Sequence, residues 1–255
     1  MFSDFIEIFI LSLIQGISEF LPVSSSAHLI VISTLYKFKA NSMLIDVSLH
    51  LGSLTAIVYY FRKELLDLKK NKKILKLIII GSVPIMIFGY IIYITELSYL
   101  LRNIKVIAWT TLIFGLLLYI ADKNDLNKKI SSDLKLSTIL FIGFFQVLSL
   151  IPGVSRAGIT ITAGRILKFN RVDSAKISFL LSIPALAGAS FLSLKNIHYE
   201  SIELNYLVLS SIIFSFIFSY LTIRFFLDYI KKFSLNIFVI YRVMVAIILF
   251  ILIYS

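Results

Sequence analysis

The chain has no cysteine and few charged residues. The absence of cysteine from its 255 residues excludes disulfide bonds and thiolate chemistry. Charged residues make up only 15% of the chain, whereas hydrophobic residues make up 59% and the mean hydropathy is +0.95. A soluble domain needs a charged exterior that this composition does not supply. The sequence therefore predicts an integral membrane protein.

The chain also lacks the alternating segments of about ten residues that are typical of a membrane β-barrel. It contains instead six apolar runs, each long enough for a helix to cross ~30 Å of hydrocarbon. We predict an all-α membrane domain over residues 1–255, with six spanning helices at 44–61, 74–95, 104–121, 177–194, 205–224 and 237–254.

Two further apolar segments, 3–35 and 137–167, are interrupted by polar residues and a proline. Each apolar arm is long enough to reach only about half-way across a membrane. We predict that both segments are re-entrant helix pairs, which enter the membrane and return to the same side. The alternative for each is one spanning helix kinked at its proline.

The distribution of basic residues favours the re-entrant interpretation. With both segments re-entrant, sixteen Lys and Arg residues lie on one side, in 62–73, 123–135, 168–176 and 224–232, and five on the other, in 37–39, 102–105 and 195. The richer side is predicted to be cytoplasmic. Both flanks of 137–167 are basic, so that segment does not cross. The net charge of +11 fits loops that face anionic lipid, and we expect no nucleic-acid partner.

A weak internal repeat relates the two halves of the chain, about 1–125 and 126–255. Pro22-x-x-Ser25-x-Ala27 recurs 130 residues later as Pro152-x-x-Ser155-x-Ala157. Each half is a re-entrant pair followed by three spans, and an odd number of spans inverts the second half. This inverted-topology repeat predicts that the two polar breaks meet near the membrane midplane, buried in protein.

In the first break, Gln15 and Glu19 lie four residues apart and share one helix face. A carboxylate inside the membrane is costly and is a candidate functional residue, although Glu19 at a helix end or at the interface is the structural alternative.

Four polar residues follow at once, Ser24, Ser25, Ser26 and His28. Hydroxyls and loop amides bind phosphate oxygens, and a serine near a histidine is a candidate nucleophile–base pair. Bonds from the serines to backbone carbonyls are the alternative.

The second break contains Arg156, a guanidinium in an apolar segment that requires an anionic partner and is suited to phosphate or carboxylate. Gly153 allows close approach of the backbone, and Ser155 and Thr160 add hydroxyl donors. An internal ion pair between Arg156 and Glu19 is the structural alternative, and both pairings of Arg156 fit different states.

These breaks resemble the signatures of the bacterial undecaprenyl-diphosphate phosphatases of the bacitracin-resistance type. The resemblance lies in QGISEFLPVSSSAH at 15–28 and PGVSRAG at 152–158, with further similarity in LHLGSL at 49–54 and FLLSIP at 179–184. It covers essentially the whole chain. Ala27 and Ala157 stand where the family more often has glycine and serine.

The resemblance implies hydrolysis of undecaprenyl diphosphate to the monophosphate and inorganic phosphate, which recycles the lipid carrier of cell-wall synthesis. It implies a multi-pass protein of the bacterial inner membrane, an active site open to the outside, and dependence on Mg²⁺ or Ca²⁺. By the same resemblance Gln15 and Glu19 form the metal-associated pair, and Ser25, His28 and Arg156 are catalytic with Glu19. Ser25, His28 or a water remain alternatives for the nucleophile.

A second function fits the same architecture. An inverted repeat with broken helices is also typical of transporters, so a flippase of a lipid phosphate is the alternative to an enzyme. The sequence leaves the oligomeric state open, a homodimer included.

Overall fold

The computed structural model describes residues 2–25, 28, 43–95, 97, 101, 103–123, 128–196 and 206–254. Apart from an isolated β-bridge between Lys128 and Phe169, the regular structure in these ranges is helical. The helices are α1 Phe2–Ser18, α2 Met43–Tyr60, α3 Arg62–Leu66, α4 Leu68–Ile94, α5 Ile104–Asp122, α6 Ile130–Asp133, α7 Leu136–Val147, α8 Arg156–Ile166, α9 Arg171–Asn196, α10 Tyr206–Lys232 and α11 Asn236–Tyr254.

Five of these helices are long and apolar enough to cross a membrane, which confirms the helical membrane class. They are α4, α5, α9, α10 and α11. The predicted span at 44–61 is the helix α2, whose apolar part Leu44–Tyr60 is shorter than the other five. Large apolar side chains such as Ile79, Phe225 and Ile251 are exposed on the outer faces of the helices, where lipid is the fitting solvent.

Several helices continue beyond the apolar runs that predicted them. The run predicted at 205–224 is α10, which extends to Lys232. Its last turn carries Lys231 and Lys232, and cations are favourable at a helix C-terminus. Lys231 also pairs with Asp228 one turn earlier, at 2.6 Å. Charge therefore ends the apolar run but not the helix.

Close helix contacts are made through small residues. A Cβ on Gly52 of α2 would lie 2.5 Å from the carbonyl oxygen of Ile212 on α10, and a Cβ on Gly143 of α7 would lie 2.1 Å from the carbonyl oxygen of Gly81 on α4. Next to Gly52, the Ser53 hydroxyl lies 3.1 Å from that of Ser215. Small and hydroxyl-bearing residues at the contact let membrane helices approach and bond to each other.

The segment from α6 to α8 leaves one end of the molecule and returns to it. The Lys128 amide donates to the Lys168 carbonyl at 3.1 Å, and the Asn170 amide donates to the Lys128 carbonyl at 3.2 Å. Buried Asp122 fixes the same end, because its carboxylate lies 3.0 Å from Arg165 Nε and 2.9 Å from Arg171 Nε. The tips of this hairpin and of the first break meet in the interior.

Candidate active site

The two polar breaks have related backbone conformations. After α1 the chain turns through 19–23, and Ser24 adopts φ +78° directly before Ser25, which is helical. After α7 and a 3₁₀ turn at Leu148–Leu150, Ser155 adopts φ +68° before α8 begins at Arg156. Left-handed φ is uncommon for serine and concentrates at functional sites. When the two left-handed serines, Ser24 and Ser155, are aligned, Ser25 corresponds to Arg156.

The Glu19 carboxylate joins the two breaks. Arg156 Nη2 lies 2.7 Å from Glu19 Oε1, so the internal ion pair considered from the sequence is present. Ser25 Oγ donates to Glu19 Oε2 at 2.8 Å, and Gln15 Nε2 donates to the same oxygen at 3.1 Å. Glu19 is 8% exposed. Ser25 and Arg156, which directly follow the two left-handed serines, therefore both contact the buried Glu19 carboxylate.

The Arg156 guanidinium is held by backbone as well as by charge. Nη1 donates to the Ser178 carbonyl of α9 at 3.3 Å, and Nη2 lies 3.4 Å from the Glu19 carbonyl. A buried ion pair adds little net stability, because desolvation offsets the attraction. Net stability alone therefore does not account for the pair.

Gln15 connects this cluster to α2. Its Nε2 lies 3.0 Å from Nδ1 of His50, while its Oε1 is buried and has no hydrogen-bond partner in the part of the chain that the structure describes. The Gln15 amide and the Glu19 carboxylate carry oxygen atoms, which Mg²⁺ and Ca²⁺ prefer as ligands, although the amide here turns its nitrogen toward Glu19. Among the described residues no group of three His, Cys, Asp or Glu is arranged to hold a metal.

The hydrogen bonds of His28 go to residues other than Ser25. Its Nδ1 lies 2.6 Å from the Ser24 carbonyl, and because a carbonyl only accepts, Nδ1 carries a proton. Its Nε2 lies 2.5 Å from the Tyr241 hydroxyl, and the two rings stack with centroids 5.6 Å apart. The hydroxyl of Ser25 faces Glu19 instead, so the predicted serine–histidine pair is not formed here.

The other predicted substrate-binding residues have structural contacts. Ser155 caps α8 by accepting from the Gly158 amide at 3.1 Å. Gly153 has φ +91°, and a Cβ there would lie 2.1 Å from the Thr110 hydroxyl. Thr160 donates to the Ser178 hydroxyl at 2.7 Å. Ser24 is buried, and Ser26 lies outside the described residues.

Arg242 on α11 was not assigned a role from the sequence. It is fully buried, and its guanidinium donates to the Gly153 carbonyl at 2.9 Å and the Val154 carbonyl at 3.1 Å, and lies 3.4 Å from the Pro22 carbonyl. Its Nε donates to the Thr111 carbonyl at 3.1 Å. Arg242 therefore links both breaks to α5. The feature of the sequence that points to Arg242 is a charged residue inside an apolar span.

A cavity of about 450 Å³ opens beside the ion pair. Glu19 and Arg156 form its charged end, and apolar residues of α4 and α9 form most of the rest. A ligand with an anionic head and a hydrocarbon body matches this division.

The fold and this cluster define a polytopic helical membrane protein with a buried arginine–carboxylate site between two helix breaks. The profile of the family described as "Bacitracin resistance protein BacA" matches residues 8–248, and the chain belongs to that family. It is 67% identical over the whole of both chains to an undecaprenyl-diphosphatase of Pelagibacter ubique. It is 39% identical to proteins of the same name from Elusimicrobium minutum, over 95% of each chain, and Saccharophagus degradans, over 98% of this chain and 99% of that one.

Proposed function

We propose that this protein is an undecaprenyl-diphosphatase, which hydrolyses the C55 isoprenoid diphosphate to the monophosphate and inorganic phosphate. The product is the lipid carrier of cell-wall synthesis. The observation that carries the proposal is the Glu19–Arg156 ion pair, 2.7 Å long, at the charged end of an apolar cavity. Membership of a family whose relatives carry this name supports it.

Arg156 binds the terminal phosphate in this proposal. Its planar fork matches two phosphate oxygens, and the incoming phosphate replaces Glu19 as its anion. Phosphoryl transfer requires mainly positioning and neutralisation of charge on the phosphoryl oxygens. Glu19 keeps its contact with the Ser25 hydroxyl when Arg156 turns to the phosphate.

Ser25 is the nucleophile in this proposal. Its Oγ attacks the terminal phosphorus, the bond from that phosphorus to the bridging oxygen breaks, and undecaprenyl monophosphate leaves. The proton of Ser25 passes to Glu19 Oε2, 2.8 Å away. Water then hydrolyses the phosphoserine and releases phosphate. His28 lies three residues beyond Ser25, and we propose that it acts on that water, after leaving Tyr241.

A divalent cation, Mg²⁺ or Ca²⁺, is the proposed cofactor, and the Gln15 amide oxygen and the Glu19 carboxylate would hold it. When bound, it would supply positive charge to the phosphoryl oxygens. Substrate contacts by Ser24, Ser26, Gly153, Ser155 and Thr160 stay predictions, as does a homodimer.

The test of this function is phosphate release by purified protein in detergent from a C55 diphosphate. We expect steady release, its loss with a chelator, and its return with Mg²⁺ or Ca²⁺. Release that is insensitive to chelation would remove the cation from the proposal. Transfer of the lipid across vesicle bilayers without phosphate release would favour the flippase instead.

We propose that the protein lies in the bacterial inner membrane with six spans and two re-entrant pairs, and with its active site facing outside. The return of the α7–α8 hairpin to the end where Lys128 meets Lys168 supports the re-entrant arrangement. The charged loops on that side support a cytoplasmic assignment for it.

Labelling of single cysteines tests this topology, because the natural chain has none. With Asn71→Cys and Asn196→Cys, an impermeant thiol reagent on intact cells is expected to label position 196 and not position 71. Both positions become reactive in permeabilised cells. The reverse pattern on intact cells would contradict the proposed orientation.

A further inference from the structure

Two glycines, Gly89 and Gly188, have room for a Cβ at ordinary van der Waals distance, whereas most of the others are tightly packed. A Cβ on Gly16, Gly52 or Gly143 would lie within 2.5 Å of a neighbouring helix. Among the described residues, a Cβ on Gly89 of α4 would meet Leu150 Cδ2 at 3.8 Å, and one on Gly188 of α9 would meet Met86 Cε at 3.7 Å. Glycine costs about 1 kcal/mol relative to alanine inside a helix. Close helix contact does not explain that cost at these two positions.

Both glycines line the cavity that ends at Glu19 and Arg156. On α9 the cavity is also lined by Ala185 and Ala189. Gly188 and Ala189 lie three and four residues after Ala185, so the three share one helix face. The missing side chains leave a cleft between α4 and α9, for which we use the name glycine cleft. Its outer lining includes Phe191, which is 64% exposed, so the cleft reaches the surface that faces lipid.

We propose that the glycine cleft binds the first isoprene units of the substrate, and that Gly89 and Gly188 set its width. This inference rests on the proposed function, because it names the chain-binding part of the same site. The cleft is continuous with Arg156. Apart from Glu19 and Arg156, the described residues that line it are apolar or small, and Tyr90 is the one among them with a hydroxyl. A hydrocarbon joined to a diphosphate satisfies both ends at once.

The cleft orients the substrate more than it raises affinity. Lipid tails are as apolar as the cleft, so moving a chain between them gains little hydrophobic free energy. Contact with both cleft walls nevertheless fixes the chain, and with it the distance of the terminal phosphate from Arg156. Such positioning contributes strongly to the rate of a reaction.

The experiment fills the cleft without touching the phosphate site. Gly188→Leu and Gly89→Leu place side chains in the cleft, and Gly188→Ala makes a smaller change. Ile87→Phe is the matched control, because Ile87 lies on α4 near Gly89, is 53% exposed and does not line the cavity. Leucine favours helix over glycine, so thermal stability in detergent should not fall. Each variant is assayed with the C55 diphosphate, and inorganic pyrophosphate serves as a chainless competitor.

We expect each leucine variant to lower kcat/KM for the C55 diphosphate by ~10-fold or more, since single methylene changes in an apolar pocket alter discrimination by that order. The inhibition constant of pyrophosphate should be unchanged in both, and Ile87→Phe should behave as the natural chain does.

Unchanged kcat/KM in both leucine variants would overturn the inference, and so would weaker pyrophosphate binding in parallel with the loss. Loss of co-purified phospholipid with full C55 turnover would assign the cleft to bulk lipid and overturn it too. Another outcome is that the natural protein releases no phosphate and still binds the C55 diphosphate more tightly than the leucine variants do. That result would contradict the proposed function and support the binding of isoprene units in the glycine cleft.

Discussion

Replacing Arg156 with lysine is expected to lower the rate of phosphate release by roughly 100-fold, although the positive charge is kept. The guanidinium of Arg156 contacts Glu19 and the Ser178 carbonyl through separate nitrogens, and a single ammonium cannot reproduce that fork. The lysine can still pair with Glu19, so the variant should fold and its Tm should stay close to that of the natural chain. Single-turnover phosphate release, with Tm measured in the same detergent, checks both expectations.

Arg242→Lys provides the contrast for this experiment. Arg242 is also a buried arginine, but its hydrogen bonds go to backbone carbonyls of the two breaks and of α5. Lysine at 242 leaves several of these carbonyls without a donor, and each such loss costs about 1–3 kcal/mol. We expect a lower Tm there, which Arg156→Lys does not show. Near-natural turnover in Arg156→Ala would instead make Arg156 structural and would reject the two-break site.

The positions of the breaks could be predicted from the sequence because polar residues within apolar segments are few. Proline alone would have misled: Pro84 and Pro184 lie inside α4 and α9, which continue through them, whereas Pro22 and Pro152 lie in turns. Serines accompany all four, since Ser82 and Ser182 precede Pro84 and Pro184, but only Pro22 and Pro152 have a charged residue, Glu19 or Arg156, within four positions. A nearby charged residue therefore distinguishes the prolines of the two breaks from those inside helices.

The motif and the backbone give different alignments of the two breaks. Matching the prolines pairs Ser25 with Ser155, whereas matching the left-handed serines pairs Ser25 with Arg156. The second break has one more residue between its proline and that serine. Gly153, at φ +91° and in contact with α5, takes up the extra length. A glycine has this conformational freedom, but its use depends on the neighbouring helix.

Contacts between distant parts of the chain were the least predictable. Arg156 and Glu19 could be paired in advance because each needs an opposite charge inside the membrane. Tyr241 and His28 need no such partner, and they are 213 residues apart. Arg242 was equally hidden, since backbone carbonyls rather than a carboxylate receive its hydrogen bonds.

Replacing Ser25 with alanine is expected to reduce turnover by at least ~1,000-fold, as removal of an attacking hydroxyl does in other hydrolases. The Ser25 hydroxyl already donates to Glu19, the proton acceptor that the proposed attack requires. His28→Ala should also slow steady-state turnover, but through the second step, hydrolysis of the phosphoserine. It retains Ser25 and Glu19, so it should still form the phosphoserine and then hydrolyse it slowly.

Rapid quenching of single turnovers separates these possibilities. Phosphoserine survives acid and phosphohistidine does not, so His28→Ala should accumulate an acid-stable phosphoenzyme, while Ser25→Ala should form none. An acid-labile phosphoenzyme in Ser25→Ala would make His28 the nucleophile. Substantial turnover in both variants, with no phosphoenzyme in either, would assign the attack to water near Glu19. The stacking of His28 on Tyr241, away from the ion pair, is the reason to expect histidine in the second step rather than the first.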